Sequence, residues 1–175
     1  MKNVTVGNIK SKGSFDESKR TFAINPTTGS IAGWTVTGHT TDGSGSVTKA
    51  PVVSYNITSD GTALKSNGTA LIAIEALVIP QNAIIETVDI NATDFTNYYE
   101  PYLYVEYTIN DELFTRAYNL ADVFKGTATT ATAVAFNEGW QNTLNLTIAG
   151  DEITFTGSVA PWANGTTNTG GTTIQ

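Results

Sequence analysis

No cysteine occurs anywhere in the 175 residues. That absence removes disulfide staples, thiolate zinc sites and cysteine nucleophiles together. Histidine is nearly absent too: His39, between Gly38 and Thr40, is the only one. General acid–base work needs an oriented partner beside such a ring, and none is readable nearby, so His39 is expected to be a solvated loop residue. Charge is scarce, with Asp, Glu, Lys and Arg making up 14% of the chain, where a soluble protein usually has about a quarter. The nine basic residues are scattered apart from Lys19-Arg20 and face 16 acids, for a net charge of −7. Phosphate backbones demand clustered cations, so no nucleic-acid partner is expected, and an anionic membrane would repel the domain. No apolar run approaches the roughly 20 residues of a membrane helix, so no direct membrane insertion is expected of this segment. The opening MKNVTVGNIKSKG has no apolar stretch behind its basic residue. It does not read as a signal peptide: either the protein stays inside the cell or, the favoured expectation, Met1 begins a shortened chain that lacks its leader.

Motifs of reaction chemistry are equally thin. Asp42 in TDGSGS faintly resembles a calcium loop, but a tight loop needs several carboxylates and a closing bidentate acid; a flexible hairpin loop is the expectation. The acids of Asn110 to Glu112 and of Asp151-Glu152 sit at turns, whereas a glycosidase pair must face across a cleft. Neither phosphate-binding fingerprint is present. The expectation is no catalytic residue, no metal and no cofactor. N-x-T triplets begin at Asn3, Asn56, Asn67, Asn91, Asn145 and Asn164, close to chance in so Asn- and Thr-rich a chain.

What is present is alternation. KNVTVGNI places Val4, Val6 and then Ile9, RTFAINPTTGS places Phe22 and Ile24, and SIAGWTVTG places Trp34 and Val36. Val53, Tyr55 and Ile57 follow before an Asp-Gly turn. The nearly apolar run from Ala70 to Ile79 is read as a buried strand stopped by Pro80. PYLYVEYTINDELFTRAYNL is the clearest hairpin. Leu103, Val105, Tyr107 and Ile109 face one way, Asn110-Asp111 turns the chain, and Phe114, Arg116, Tyr118 and Leu120 return. A short helix is expected only in NLADVFKGTATTATAVAF. A last hairpin alternates Leu144, Leu146 and Ile148, turns at Gly150-Asp151, and returns through Ile153, Phe155 and Val159. Short strands with regular turn signals predict an all-β, antiparallel sandwich or barrel. One domain is expected over 1–162, with a polar, flexible tail over 163–175. Tyr98, Tyr99, Tyr102 and Tyr104 lie together in the sequence. Stacked rings bind sugars, and Tyr98, Tyr99 and Tyr102 are candidate ligand-contact residues, although cross-strand aromatics are ordinary sheet stabilisers. Trp140 and Trp162 are read as core or rim packing.

Three blocks carry a likeness: ALVIPQ from Ala76, then YLYVEYTINDELFTRAYNL, then FNEGWQNTLNLTIAGDEITFTGSVAPW. Together they resemble the closing half of the fimbrillin family, type V pilin-like proteins of the Bacteroidales. The matching positions are Ile79, Pro80, Gln81, Val105, Tyr107, Ile109, Phe136, Gly139, Leu144, Leu146, Ile148, Ile153, Phe155, Val159 and Trp162. The likeness runs from about Ala70 to Trp162, and the aromatics the family shows before its isoleucine strand are replaced by Asn142 and Leu144. It implies a transthyretin-like, Greek-key β-sandwich, similar to the family's C-terminal domain. It implies a non-enzymatic structural or adhesive part of a cell-surface fimbrial (pilus) subunit, extracellular at the fimbrium or outer membrane. Partners would be other fimbrial subunits or a host or bacterial surface ligand, with strand exchange as the means of assembly. The alternative is a carbohydrate-binding β-sandwich module using exposed aromatics.

Overall fold

The computed structural model describes residues 2–19, 33–58, 78–125, 130–137, 140–149 and 152–161. Strands dominate them. In chain order they are β1 (Asn3–Lys10), β2 (Gly13–Phe15), β3 (Trp34–Val36), β4 (Thr40–Thr41), β5 (Val47–Thr48) and β6 (Val52–Thr58). Then come β7 (Gln81–Ile84), β8 (Tyr102–Ile109), β9 (Glu112–Asn119), β10 (Ala133–Phe136), β11 (Trp140–Ala149) and β12 (Glu152–Pro161). Helix is confined, among the described residues, to a 3-10 turn at Glu17–Lys19 and to α1 (Leu120–Phe124). The protein is all-β, and every strand pairing described is antiparallel.

Four strands form the main sheet in the order β6-β1-β8-β9. One face of it carries Val4 and Val6 of β1 and Leu103, Val105 and Tyr107 of β8, which meet in one core. Ala83 of β7, Phe136 of β10 and Leu120 and Ala121 of α1 are buried in the same core. Leu144 and Leu146 of β11 and Ile153 and Phe155 of β12 pack against it, with Tyr118 meeting Phe155 edge to face at 4.7 Å. The β7–β10 and β11–β12 pairs thus form a second layer on the main sheet, a layered solution to burying one face of each.

Local chemistry explains the joints. Asn110 and Asp111 both have positive φ, 49° and 66°, the backbone a two-residue type I′ hairpin requires; Asn and Asp reach it at least cost after glycine. Strand β9 ends where Asn119 caps α1, its side chain accepting from the Asp122 N–H at 2.8 Å. Leu120 therefore opens the helix and is not the last residue of the strand. The break in parity between Val6 and Ile9 is a bulge: β1 slips register against β6 between those residues, with Asn8 at φ 57°. The slip turns Ile9 back to the core.

Two expectations need correction. The expected strand does not run up to Pro80, since Val78 and Ile79 are in none; β7 opens at Gln81 directly after the proline, where a missing N–H costs no ladder bond. TDGSGS is not a loose loop. Asp42 Oδ1 accepts from Ser44 N and Ser46 N, each at 2.9 Å, and from Ser44 Oγ at 2.6 Å, which ties the β4–β5 hairpin. Phe22, Ile24, the run from Ala70 to Leu77, the two turns at 60–61 and 150–151, Gly139, Trp162 and the 163–175 tail lie outside the described residues.

Candidate functional site

The face of the main sheet turned away from the core is where the candidate aromatics gather. Gly7 of β1 pairs directly with Tyr102 of β8. A Cβ at Gly7 would collide with the hydroxyl end of the Tyr102 ring. The ring instead crosses β1 there and hydrogen-bonds Ser54 of β6. Glycine is required at position 7 because a neighbouring ring occupies its side-chain space, a cross-strand rescue seen elsewhere in sheets. Phe95 stacks on Tyr102 at 3.8 Å with the planes 6° apart, and Tyr98 and Tyr104 meet Phe95 edge-on at 6.4 and 5.8 Å. The two edge-on contacts are the geometry that ring quadrupoles favour, while Phe95 and Tyr102 lie nearly face to face.

Tyr98 is held from two sides. Asn119 Nδ2 donates to its Oη at 2.7 Å, and Oη donates to Glu86 O at 3.4 Å. Burial pushes the phenols of Tyr98, Tyr102 and Tyr104 above their ordinary value; at Tyr98 the Asn119 bond works the other way, as does Ser54 at Tyr102. Tyr99 lies apart from this cluster. Its ring meets His39 edge-on at 5.1 Å, with Lys49 Nζ 5.3 Å from the ring centroid.

His39 is half-buried and structural, which corrects the expectation of a solvated loop residue. Ala50 N donates to Nδ1 at 3.0 Å, so Nδ1 is the unprotonated nitrogen; Nε2, 3.0 Å from Tyr99 O, is the donor. The ring ties the β4–β5 region to the segment before β8. Its partners are backbone groups 11 and 60 residues away, which no local pattern announces.

A second polar cluster sits at the bulge, beside the aromatics. Gln81, 1% exposed, presents its amide to the backbone of Lys10: Oε1 accepts from Lys10 N at 3.2 Å and Nε2 donates to Lys10 O at 3.1 Å. An amide side chain sets a donor and an acceptor side by side, as a peptide group does, so Gln81 acts as a one-residue extension of the sheet ladder. Lys10 Nζ lies 3.4 Å from Glu100 Oε1, with side-chain exposures of 11% and 5%. Glu100 Oε2 also accepts from Ile84 N at 2.8 Å. Asn8 Nδ2 donates to Tyr98 O at 2.7 Å.

The structure thus brings Tyr98 and Tyr102 together, through Phe95, and places Tyr99 on another cluster with His39. Sequence reasoning missed Phe95, the ring at the centre. It lies in a loop without periodicity, and its only sequence signal is an aromatic a few residues before a tyrosine-rich strand. Among the described residues no group of three or more His, Asp or Glu side chains is placed to hold a metal ion, and no helix is long and apolar enough to cross a membrane. The turn acids Asp42 and Asp94 spend their carboxylates on their own loops. The chain matches no protein-family model, no curated protein and no solved structure.

Proposed function

We propose that this chain is a structural or adhesive domain of a cell-surface fimbrial subunit, similar to the C-terminal domain of fimbrillins. One observation supports the reading above others: the residues that carry the resemblance and whose side chains are described are ones the fold spends on its joints and its core. Val105, Tyr107 and Phe136 are buried together, and Leu144, Leu146, Ile153 and Phe155 pack on them. Leu146 pairs with Phe155 and Ile148 with Ile153 across β11–β12. Gln81, of the Pro-Gln pair, clasps β1. Likeness at chance positions would scatter over the surface as well. A transthyretin-like, Greek-key sandwich belongs to the same proposal, as do a location at the fimbrium or outer membrane and partners among other fimbrial subunits. The chain is read as non-enzymatic.

Immunogold electron microscopy of cells making the full-length protein, with antibody raised to this domain, tests the reading. Label along surface filaments or at the cell exterior is expected. Label confined to the cell interior would overturn it.

A further inference from the structure

The outer face of the main sheet is only half covered. On the side of β8 and β9, Phe95 and Tyr98 lie over Tyr102, and Ala117 and Asn119 are buried. Past the Tyr102 ring, the β1 and β6 side carries exposed and half-exposed side chains. Register places Asn56, Thr5 and Tyr104 in one row across three strands, with Asn3 and Glu106 beside each other in the adjacent row. Their side chains share one face because period-two alternation sends Val4 and Val6 to the core. Asn56 and Ser54 are exposed, and Asn3, Thr5, Tyr104 and Glu106 are half-exposed. Thr5 Oγ1 donates to Asn3 Oδ1 at 3.3 Å. That bond orients the amide and leaves its NH2 group without a protein acceptor among the described residues. Tyr104 borders this strip, its ring propped edge-on against Phe95.

From this arrangement we propose that the open strip is a binding site for a neutral carbohydrate, with Tyr104 as the ring platform and Asn3, Thr5 and Asn56 as the hydrogen-bonding groups. The chemistry selects the ligand. Amide and hydroxyl groups both donate and accept, as sugar hydroxyls do, and a fixed ring edge offers apolar contact beside them. Charge argues against other ligands. The strip carries a carboxylate, Glu106, and no Lys or Arg among the described residues of its rows, on a chain of net charge −7. Phosphates, sulfated or sialylated glycans and acidic peptides would be repelled. An apolar partner would strand the amides unpaired. The site differs from the one expected at Tyr98, Tyr99 and Tyr102. Tyr102 is taken up by Phe95 and Ser54, Tyr98 by Asn119, and Tyr99 stands with His39. The inference is independent of the fimbrial reading, since a domain inside or outside the cell would bind alike.

The test uses the whole chain on an array of neutral and of acidic oligosaccharides, with affinities of any neutral binder measured by calorimetry. Binding to neutral members alone is expected. Thr5→Val keeps the side-chain shape, and Asn56→Ala alters an exposed position; each is expected to weaken binding about tenfold, one hydrogen bond's worth. Tyr104→Ala is expected to abolish it, with circular dichroism confirming the fold, and Tyr99→Ala to leave it unchanged. No neutral oligosaccharide bound at about 10 mM by folded protein, far weaker than useful recognition, would overturn the proposal. So would binding restricted to acidic glycans, binding untouched by both Thr5→Val and Asn56→Ala, or binding lost on Tyr99→Ala.

Discussion

Lys10 and Glu100 show how a single pair can hold three segments. The ammonium stands on the bulged strand, while the carboxylate, two residues before β8, also receives the Ile84 N–H of β7. Both are too buried for water to replace a lost partner, and removing one partner of such a pair commonly costs about 3–5 kcal/mol. Glu100→Gln keeps the shape and an acceptor for Ile84 but strands the ammonium. Urea unfolding is expected to show a loss of about 3 kcal/mol, and the double variant Lys10→Met/Glu100→Gln is expected to regain much of it. A Glu100→Gln protein as stable as the parent would show that the pair is not the joint described. None of this was readable in the sequence. Lys10 and Glu100 are 90 residues apart, and a lone lysine at a strand end looks like any solvated charge.

At the scale of elements, the β8–β9 hairpin was legible because period-two burial and turn residues agree, and the β11–β12 pairing because its residues alternate. Leu103, Val105 and Tyr107 are buried while Tyr102, Tyr104 and Glu106 are not, and Asn110-Asp111 sits at the turn as the side-chain chemistry requires. The type I′ backbone makes a directional prediction. Asp111→Gly relieves a left-handed residue of its Cβ and is expected to raise stability by several tenths of a kcal/mol. Asn110→Ala is expected to lower it by about 1–2 kcal/mol. Thermal unfolding of the two variants checks both signs, and the same shift for both would mean a different turn. The bulge was half-legible: the change of parity from Val6 to Ile9 is in the sequence, but the Tyr102 ring that lies against Gly7 within it is not. Pro80 misled because a proline bounds a strand at either end, and only the partner strand tells which. The short β7 and β10 are paired in space by Ala83 and Val134, a long-range contact to which alternation is blind.

For the whole molecule, titration brackets the range of stability. Hydrogen bonds from Ser18, Ser44 and Thr96 side chains hold the Asp16, Asp42 and Asp94 carboxyls below their usual value. A depressed folded pKa contributes stability above the unfolded value, near 3.9, and loses it as pH falls through the folded one. Burial raises Tyr98, Tyr102, Tyr104 and Tyr118. Their contribution is complete below about pH 10 and disappears as pH rises through the folded values. Stability measured by urea unfolding is therefore expected to decline on the acid side below about pH 4 and on the alkaline side above about pH 10. Asp42→Asn is expected to blunt the acid limb, because asparagine keeps an acceptor for the Ser44 and Ser46 N–H groups and has no proton to take up. An acid limb identical to the parent's would assign the effect elsewhere.

The fimbrial reading and the architecture share one physical demand, that both hairpins close on one interior and open together. Native-state hydrogen exchange measures this directly. The account predicts that amides of Val105 and Tyr107 in β8 and of Leu144 and Leu146 in β11 exchange with a common opening free energy, equal to that of global unfolding. A hairpin of β11 and β12 that exchanges at a far lower free energy, while β8 stays protected, would contradict it.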